Sequence, residues 1–466
     1  MTDMPHEITI PPGNPFDNDQ LGRAESGEVL MNFVTSLKRS SVICIDAPWG
    51  QGKTTFLLMW RQLLEDANIP VLYFNAWEND FSQDALVALI GEIGTKLDAL
   101  SASGNKSAAN EYLEKAKKYG VALLKRSIPV AAKLATAGAL DLDKLSEQAL
   151  GGLAEAIVKE EIEKYEAAKT SMDAFRASLE ALAATFSDGE SPKPLVFIID
   201  ELDRCRPSFA IEVLEKAKHL FNVPNIVFVL GLDKRQLGHS IRGIYGAGLD
   251  VSGYLRRFID FDYLLPPPEK GDFAKALFKR FGLNEYFRTK NGRETRYEQE
   301  QALTMFSELF EAYDLSLREQ VHCCSLLDVA IKTTPQNMML HPIFLCLLIV
   351  LKVKSPDVYA NYVQQQMGPA ELLGWLKESS KMRAVLETNY GTALEAHIAM
   401  SASDRYFDED EVAKPYLDVV NSESAPESER YRAKRIVDII GQFRWGSAGV
   451  LGYLVKKIEI ASRFRS

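Results

Sequence analysis

The run SVICIDAPWGQGKTTFLLMW, residues 41–60, constrains this chain more than any other stretch. SVICID is short, apolar and β-branched, and the segment after the loop, FLLMWRQLLED, carries apolar residues at helical spacing. Strand, glycine loop and helix follow each other as a phosphate-binding loop requires. Its pattern is G-x-x-x-x-G-K-[ST]: backbone N–H groups wrap the phosphates, the lysine reaches the terminal ones and the hydroxyl meets Mg²⁺. Gly52, Lys53 and Thr54 match, while the first glycine is replaced by Ala47. The close approach to phosphate falls at Gly50 and Gly52, so the methyl group is tolerable where the backbone of Ala47 keeps φ negative. Pro48, Trp49, Gly50, Gln51, Gly52, Lys53, Thr54 and Thr55 are the candidate nucleotide-binding residues.

Such a loop needs a second element on the metal side. LVFIIDELDR, residues 195–204, is an apolar run ending in two carboxylates, as a buried parallel strand delivers them at its carboxyl edge. Asp200 is the candidate metal residue, together with Thr54. Glu201 is placed to orient and polarise water, which predicts hydrolysis and not binding alone. CRPSFAIEVLEKAKHLF then reads as a helix opened by Pro207 and apolar at Ile211, Leu214 and Phe221. NIVFVLGLDKRQL reads as another buried strand, ending at Asp233, which either senses the water and γ-phosphate or caps the next helix.

Lys53 and Asp200 are 147 positions apart, more than one crossover needs. PVLYFNAWEND (70–80) is a further strand candidate, and residues 81–190 are rich in Ala, Glu and Lys at helical spacing, so a long helical insertion is expected. Its middle, VALLKRSIPVAAKLATAGAL, carries Lys125, Arg126, Pro129 and Lys133, which disfavours a membrane span and suits an amphipathic surface or partner helix. PIFLCLLIVL (342–351) is far short of the roughly 20 residues a bilayer needs and reads as a buried helix.

Bulk properties narrow the class. At 466 residues, 46% hydrophobic and 25% charged, the chain has a globular composition and is long enough for two or three domains. With 54 basic and 64 acidic residues the net charge is −10, so any contact with nucleic acid or anionic lipid is local. Cysteines 44, 205, 323, 324 and 346 have no metal-ligand spacing and read as core thiols in a reducing compartment. The first 20 residues lack a basic n-region and an apolar h-region, so a cytoplasmic protein is expected.

In order, APWGQGKTT, VLYFNAWEND, FIIDELDRC, VFVLGLDKRQL and YLRRFIDFDYLLPPP resemble the KAP family of P-loop NTPases, relatives of the AAA+ and STAND ATPases, over roughly residues 17–345. FNAW and the LDRC after the acidic pair are its specific elements. The resemblance implies ATP as nucleotide with Mg²⁺, an insertion between the two motifs, and for bacterial members a part in phage exclusion or defence. No guanine-reading Asn-Lys-x-Asp motif occurs. It also implies that Leu21, Gly22 and Arg23 lie against adenine, that Arg257 or Arg256 before Phe258 is an arginine finger acting on a neighbouring copy, and that Arg318 is a second sensor. Arg204 and Arg206 are alternative fingers. The plain alternatives are a helix N-terminus at 21–23, arginines bonding helix-end carbonyls, and an exposed helix arginine. Three departures stand out: Ala47, Glu201 where the family more often has a second aspartate, and an insertion without clean membrane spans.

The tail from Arg430 to Ser466 has nine basic residues (430, 432, 434, 435, 444, 456, 457, 463, 465) and two acidic ones, with Tyr431, Phe443, Trp445 and Tyr453 among them. It fits either a nucleic-acid surface or an amphipathic helix pair with solvated cations. The expected fold is α/β, a parallel P-loop sheet flanked by helices. Its divisions are an N-terminal extension (1–16), the core (17–80 and 191–268), the insertion (81–190), a helical lid-like region (269–345) and a helical C-terminal region (346–466). The expected function is Mg²⁺-dependent ATP hydrolysis driving a conformational or assembly change. The rival is a nucleotide-gated scaffold with little turnover. No nuclease, protease or deaminase constellation is present, so the expected partners are further copies of the chain and an effector protein from a neighbouring gene.

Overall fold

The apolar run preceding the glycine loop forms strand β1 (Ser41–Asp46), and the helix after the loop is α2 (Lys53–Asp66), following α1 (Ala24–Ser36). The computed structural model describes residues 9–37, 39–82, 147–185, 193–217, 223–269, 271–289, 295–335, 338–401, 409–442 and 450–463, with scattered positions between 85 and 119. Residues 1–8 of the N-terminal extension, the middle of the insertion with Lys125, Arg126, Pro129 and Lys133, Phe221, and Phe443, Arg444, Trp445 and Arg465 of the tail lie outside them. Arg23–Pro266 makes up most of one unit, Pro267–Ser466 most of a second, and Gln20–Gly22 goes with the second.

The first unit is a five-stranded sheet in the order β2-β3-β4-β1-β5, all parallel, with β2 at Val71–Asn75, β3 at Leu195–Asp200, β4 at Ile226–Leu232 and β5 at Phe261–Leu264. Side chains alternate between two apolar layers, because successive residues of a strand point to opposite faces. Ile43, Ile45, Val196, Ile198, Val227 and Val229 face α1 and α2, where they meet Leu30, Val34, Phe56, Trp60 and Leu64. Val42, Cys44, Phe197, Ile199, Phe228 and Leu230 face the other way. Both faces are covered, so β3 and β4 are buried end to end and their sequences are apolar without alternation.

Helix α3 (Glu147–Thr185), α4 (Pro207–Ala217), α5 (Lys234–Tyr245) and α6 (Val251–Leu255) supply the second layer. Phe175, Leu179, Leu182 and Ala183 of α3 sit in this core. The last turns of the segment read as an insertion therefore act as the crossover helix that a parallel β2–β3 pair needs. Trp60 is fully buried and its indole donates to the carbonyl of Gly27 at 3.0 Å. A Cβ on Gly27 would come within 2.7 Å of the Phe16 ring, so glycine is what lets α1 lie this close.

The second unit is helical throughout the described residues, from α7 (Asp272–Arg280) and α8 (Leu283–Thr289) through α9 (Thr295–Ala312), α10 (Leu317–Lys332) and α11 (Pro342–Lys354). It continues with α12 (Pro356–Val363), α13 (Pro369–Glu378), α14 (Ser380–Glu387), α15 (Asn389–Met400), α16 (Glu409–Val420), α17 (Glu427–Gln442) and α18 (Val450–Ala461). Every residue of α11 from Pro342 to Leu351 is buried, at the centre of the apolar cluster. This helix runs unbroken through 345, where the sequence suggests a domain boundary. Among the described residues no helix is long and apolar enough to cross a membrane. All five cysteines are buried and free.

The basic tail is partly consumed by packing. Arg432 bonds Glu395 and the Leu386 carbonyl, Arg435 bonds Asn389, and Lys457 bonds the Thr333 carbonyl and lies 5.5 Å from the Tyr453 ring centre. Lys434, Lys456 and Arg463 remain exposed.

Gly231 of β4 is the tightest point of the sheet. A Cβ there would stand 2.3 Å from Leu57 Cδ1 and 2.8 Å from Asp200 Oδ1. Gly231→Ala is expected to lower stability by about 1–3 kcal/mol through overpacking, read by denaturant unfolding. An unchanged midpoint would show that Leu57 and Asp200 yield without cost.

Candidate active site

Because all five strands run parallel, their carboxyl ends meet at one edge, where the crevice of such sheets lies. β1 ends there and enters the loop. Gly50 (φ 76°) and Gly52 (φ 74°) occupy the left-handed region that side chains disfavour. Ala47 keeps a negative φ and buries its methyl group in the layer under α2. Pro48 and Trp49 are exposed, and Gly50, Gln51, Gly52, Thr54 and Thr55 are half-buried. Helix α2 has Gly52 as its N-cap and no side-chain cap, so its first N–H groups and its positive dipole end remain available to an anion.

Lys53 is buried, its Nζ donating to the Ala47 carbonyl at 3.0 Å and lying 3.8 Å from Asp203 Oδ2. Asp203, one short helical turn past β3, also accepts from the Trp49 indole, and its Oδ1 is buried with no hydrogen-bond partner among the described residues. Asp203 lies in the LDRC run but is not among the candidate site residues of the sequence. Its position three residues after Asp200, on the turn that closes over the loop, is the signal that could have marked it.

Asp200 is fully buried. Its Oδ1 accepts from the Glu201 amide at 2.8 Å and its Oδ2 from the Tyr73 hydroxyl at 2.9 Å. Burial pushes its carboxyl up to about 6, against the opposing bonds from Tyr73, Thr54 and the Glu201 amide. Burial and the neighbouring Asp200 push the Tyr73 hydroxyl up in turn. Tyr73 is a second residue not foreseen, since a tyrosine in an apolar strand reads as core.

Glu201 takes a left-handed conformation, φ 61° and ψ 24°, which costs a non-glycine residue about 1–3 kcal/mol. Its side chain is buried, with Oε1 accepting from Thr54 Oγ1 at 3.2 Å and pairing with Arg204 Nη1 at 2.6 Å. Arg204 also lies 5.9 Å from the ring centre of Trp77. Arg206 points elsewhere, donating to Asp80 Oδ1 at 2.8 Å and to the Ser82 carbonyl at 3.0 Å.

Asp233 caps α5, its Oδ1 accepting from Arg235 and Gln236 amides at 3.0 and 3.1 Å, while Oδ2 accepts from the Trp49 amide at 3.2 Å. It thus ties the end of β4 to the loop. Arg256 and Arg257 are both exposed just past α6, Arg257 lying 5.8 Å from the Tyr254 ring centre, while Phe258 is buried. Arg23 is 2% exposed, with Nη2 donating to the Pro266 carbonyl at 3.2 Å. Its Nε and Nη1 are buried without partners among the described residues, and burial lowers its guanidinium to about 10. Gly22, in the second unit, has φ 66°. Arg318, also in that unit, is exposed near the start of α10, beside the Ser316–Glu319 capping box.

The residues present fit a nucleotide with Mg²⁺. Arg23 Nε and Nη1 and Asp203 Oδ1 are buried without hydrogen-bond partners among the described residues. Asp200 and Thr54 offer the oxygen donors that Mg²⁺ takes alongside phosphate, for which no all-protein cage is required.

A parallel sheet with a glycine loop after β1 and a buried acid ending β3, one strand away across β4, defines a P-loop NTPase core. The KAP family P-loop domain matches residues 26–338, and the chain belongs to that family. It is similar to the phage T7 exclusion protein of Escherichia coli K12, 22% identical over 370 residues, covering 76% of this chain and 45% of that protein. The chain thus spans less than half the length of that relative. The ORC2 protein of Aeropyrum pernix, solved as ADPNP–ADP complexes, is 13% identical with 98% of each chain covered and a TM-score of 0.33, too slight a likeness to bear on fold or function.

With φ negative at position 47, Ala47→Gly is expected to change ATP affinity by less than about tenfold, whereas Lys53→Ala removes tight binding; calorimetry checks both. The Asp200 carboxyl gives a pH test. A raised carboxyl holds its proton more firmly in the native state, so its contribution to stability is greatest below 3.8 and is lost as pH rises through about 6. A metal needs the ionised form, so Mg²⁺-dependent ATP binding is expected to weaken as pH falls through about 6. Calorimetry across that range checks it, and affinity flat through it would contradict the assignment.

Proposed function

We propose that this chain is a Mg²⁺-dependent ATPase whose binding and hydrolysis of ATP drive a conformational or assembly change in phage exclusion. The observation that carries the hydrolytic part is the Glu201 carboxylate, buried at the carboxyl end of β3 and 3.2 Å from Thr54 Oγ1. A carboxylate there is in place to accept a proton from water beside the phosphate loop. The family membership supports the nucleotide, and the similarity to a phage T7 exclusion protein supports the setting.

In this reading the loop amides from Gly50 to Thr54 and the start of α2 bind the phosphates. Lys53 leaves the Ala47 carbonyl for the terminal phosphate, with Asp203 3.8 Å away to steady it. Asp200 and Thr54 would hold Mg²⁺, which when bound would offset the charge of the phosphates. Tyr73 and the Glu201 amide fix both Asp200 oxygens, so the acid cannot swing away. Glu201 takes the proton of the attacking water. Asp233 keeps the loop against β4 through the Trp49 amide. Arg257, exposed and set beside buried Phe258, reaches the γ-phosphate of a neighbouring copy, so hydrolysis requires a homo-oligomer.

Glu201→Gln keeps size and polarity but removes the base. Turnover is expected to fall by about 100-fold or more while bound ATP is retained. Steady-state phosphate release and a filter-retention assay measure the two. A wild type that retains ATP without turnover would leave a nucleotide-gated scaffold in place of an ATPase.

The trans role of Arg257 predicts specific activity that rises with protein concentration. Arg257→Ala is expected to bind ATP and turn over about 1,000-fold more slowly. Mixed with Lys53→Ala, which keeps the finger but lacks a working site, it should recover activity above either variant alone. No recovery, with concentration-independent wild-type turnover, would remove the finger.

A further inference from the structure

We propose that Arg204 is a positioning residue for the water-activating carboxylate: it holds Glu201 by one oxygen and leaves the other to act on water. The inference rests on the hydrolytic reading above. Arg204 Nη1 and Thr54 Oγ1 both engage Oε1, at 2.6 and 3.2 Å, and no described residue hydrogen-bonds Oε2. A carboxylate fixed at one oxygen keeps a lone pair of defined direction at the other, and alignment of that kind is where intramolecular catalysis gains most.

The pairing follows from the local backbone. Residues Leu202–Arg204 form a single 3₁₀ turn, closed by the Arg204 amide donating to the Glu201 carbonyl at 3.1 Å. The turn brings Arg204 back beside Glu201, where Nη1 meets Oε1 at 2.6 Å. The left-handed backbone at Glu201, φ 61°, sets the start of this turn, and the Glu201 side chain meets Thr54 Oγ1 at 3.2 Å.

Arg204 is itself steadied from the strand next door. Its guanidinium lies 5.9 Å from the ring centre of Trp77, in the turn after β2, and that turn is fixed by the Trp77 amide donating to Asn75 Oδ1 at 3.1 Å. The flat guanidinium is suited to pairing at its edge while resting on an aromatic face, which an ammonium cannot do equally well. Trp77 is therefore a second, outer element of the same device. With its side chain 25% exposed and engaged on both sides, Arg204 is committed within its own chain, unlike Arg257.

The test uses the full chain with Arg204→Ala, Arg204→Lys and Trp77→Ala. Arg204→Ala should lower kcat by about tenfold or more while ATP affinity changes by less than about threefold. Arg204→Lys, which restores the charge but not the fork, should recover part of the loss, and Trp77→Ala should lower kcat to a smaller degree. Mixing Arg204→Ala with Lys53→Ala should give no recovery; recovery would make Arg204 a finger acting in trans and overturn the inference. Wild-type kcat in Arg204→Ala would also overturn it. A double-mutant cycle of Arg204→Ala with Glu201→Gln, read by denaturant unfolding, reports on the pair without turnover. Non-additive shifts support it, and additive shifts dismiss it even where the wild type hydrolyses nothing, an outcome that would count separately against the hydrolytic reading.

Discussion

The site depends on the placement of β4 between β1 and β3. Ile45 pairs with Gly231 and Asp46 with Leu232 on one side, and Asp200 pairs with Gly231 on the other. The glycine loop and the acidic pair, far apart in the chain, are thereby set one strand apart across a residue that has no side chain. Gly231 leaves the space that Asp200 and Leu57 fill. A register shift of one residue would turn Asp200 to the opposite face of the sheet, so strand pairing and chemistry are specified together.

Those parts of the fold that repeat a local pattern were legible in the sequence. Strands β1, β3 and β4 are apolar runs bounded by polar residues, and the loop glycines fall where φ is positive. Pro207 opens α4 as expected, and PIFLCLLIVL is a buried helix. Strand order was not legible, because it depends on which apolar surfaces meet, and none of these strands carries a mark of its neighbour. The boundary expected at 345 followed the extent of the family resemblance, and α11 runs through that position as one helix.

Candidate residues divide along the same line. Those in the loop and at the end of β3 are set by chain neighbours, and motif spacing finds them. Tyr73, Asp203 and Trp77 act through space. Tyr73 reaches Asp200 from the adjacent strand, Asp203 reaches Trp49 and Lys53 across the loop, and Trp77 meets Arg204 between two turns. Trp77 and Asp203 fall within the FNAW and LDRC runs, yet no spacing in either run names the residue it will meet. Asp233 shows the reverse: its place after β4 was legible, but the amides of Arg235, Gln236 and Trp49 that it accepts from emerge only from the fold.

The adjacency of β2 and β3 has a different consequence. The long segment between them leaves the carboxyl end of β2 and re-enters at the amino end of β3, the strand next door, while Asp80 after β2 and Arg206 after β3 are tied together at the carboxyl edge. Closing a chain between two points already held together costs little more for a long loop than for a short one. The final turns of α3, from Phe175 to Ala183, are bound into the sheet's core, as are Ala85, Leu89 and Ala116 nearer the start of the segment. Length can therefore be added or removed within this segment at small entropic cost while the strand ends that carry Asn75 and Asp200 keep their pairing.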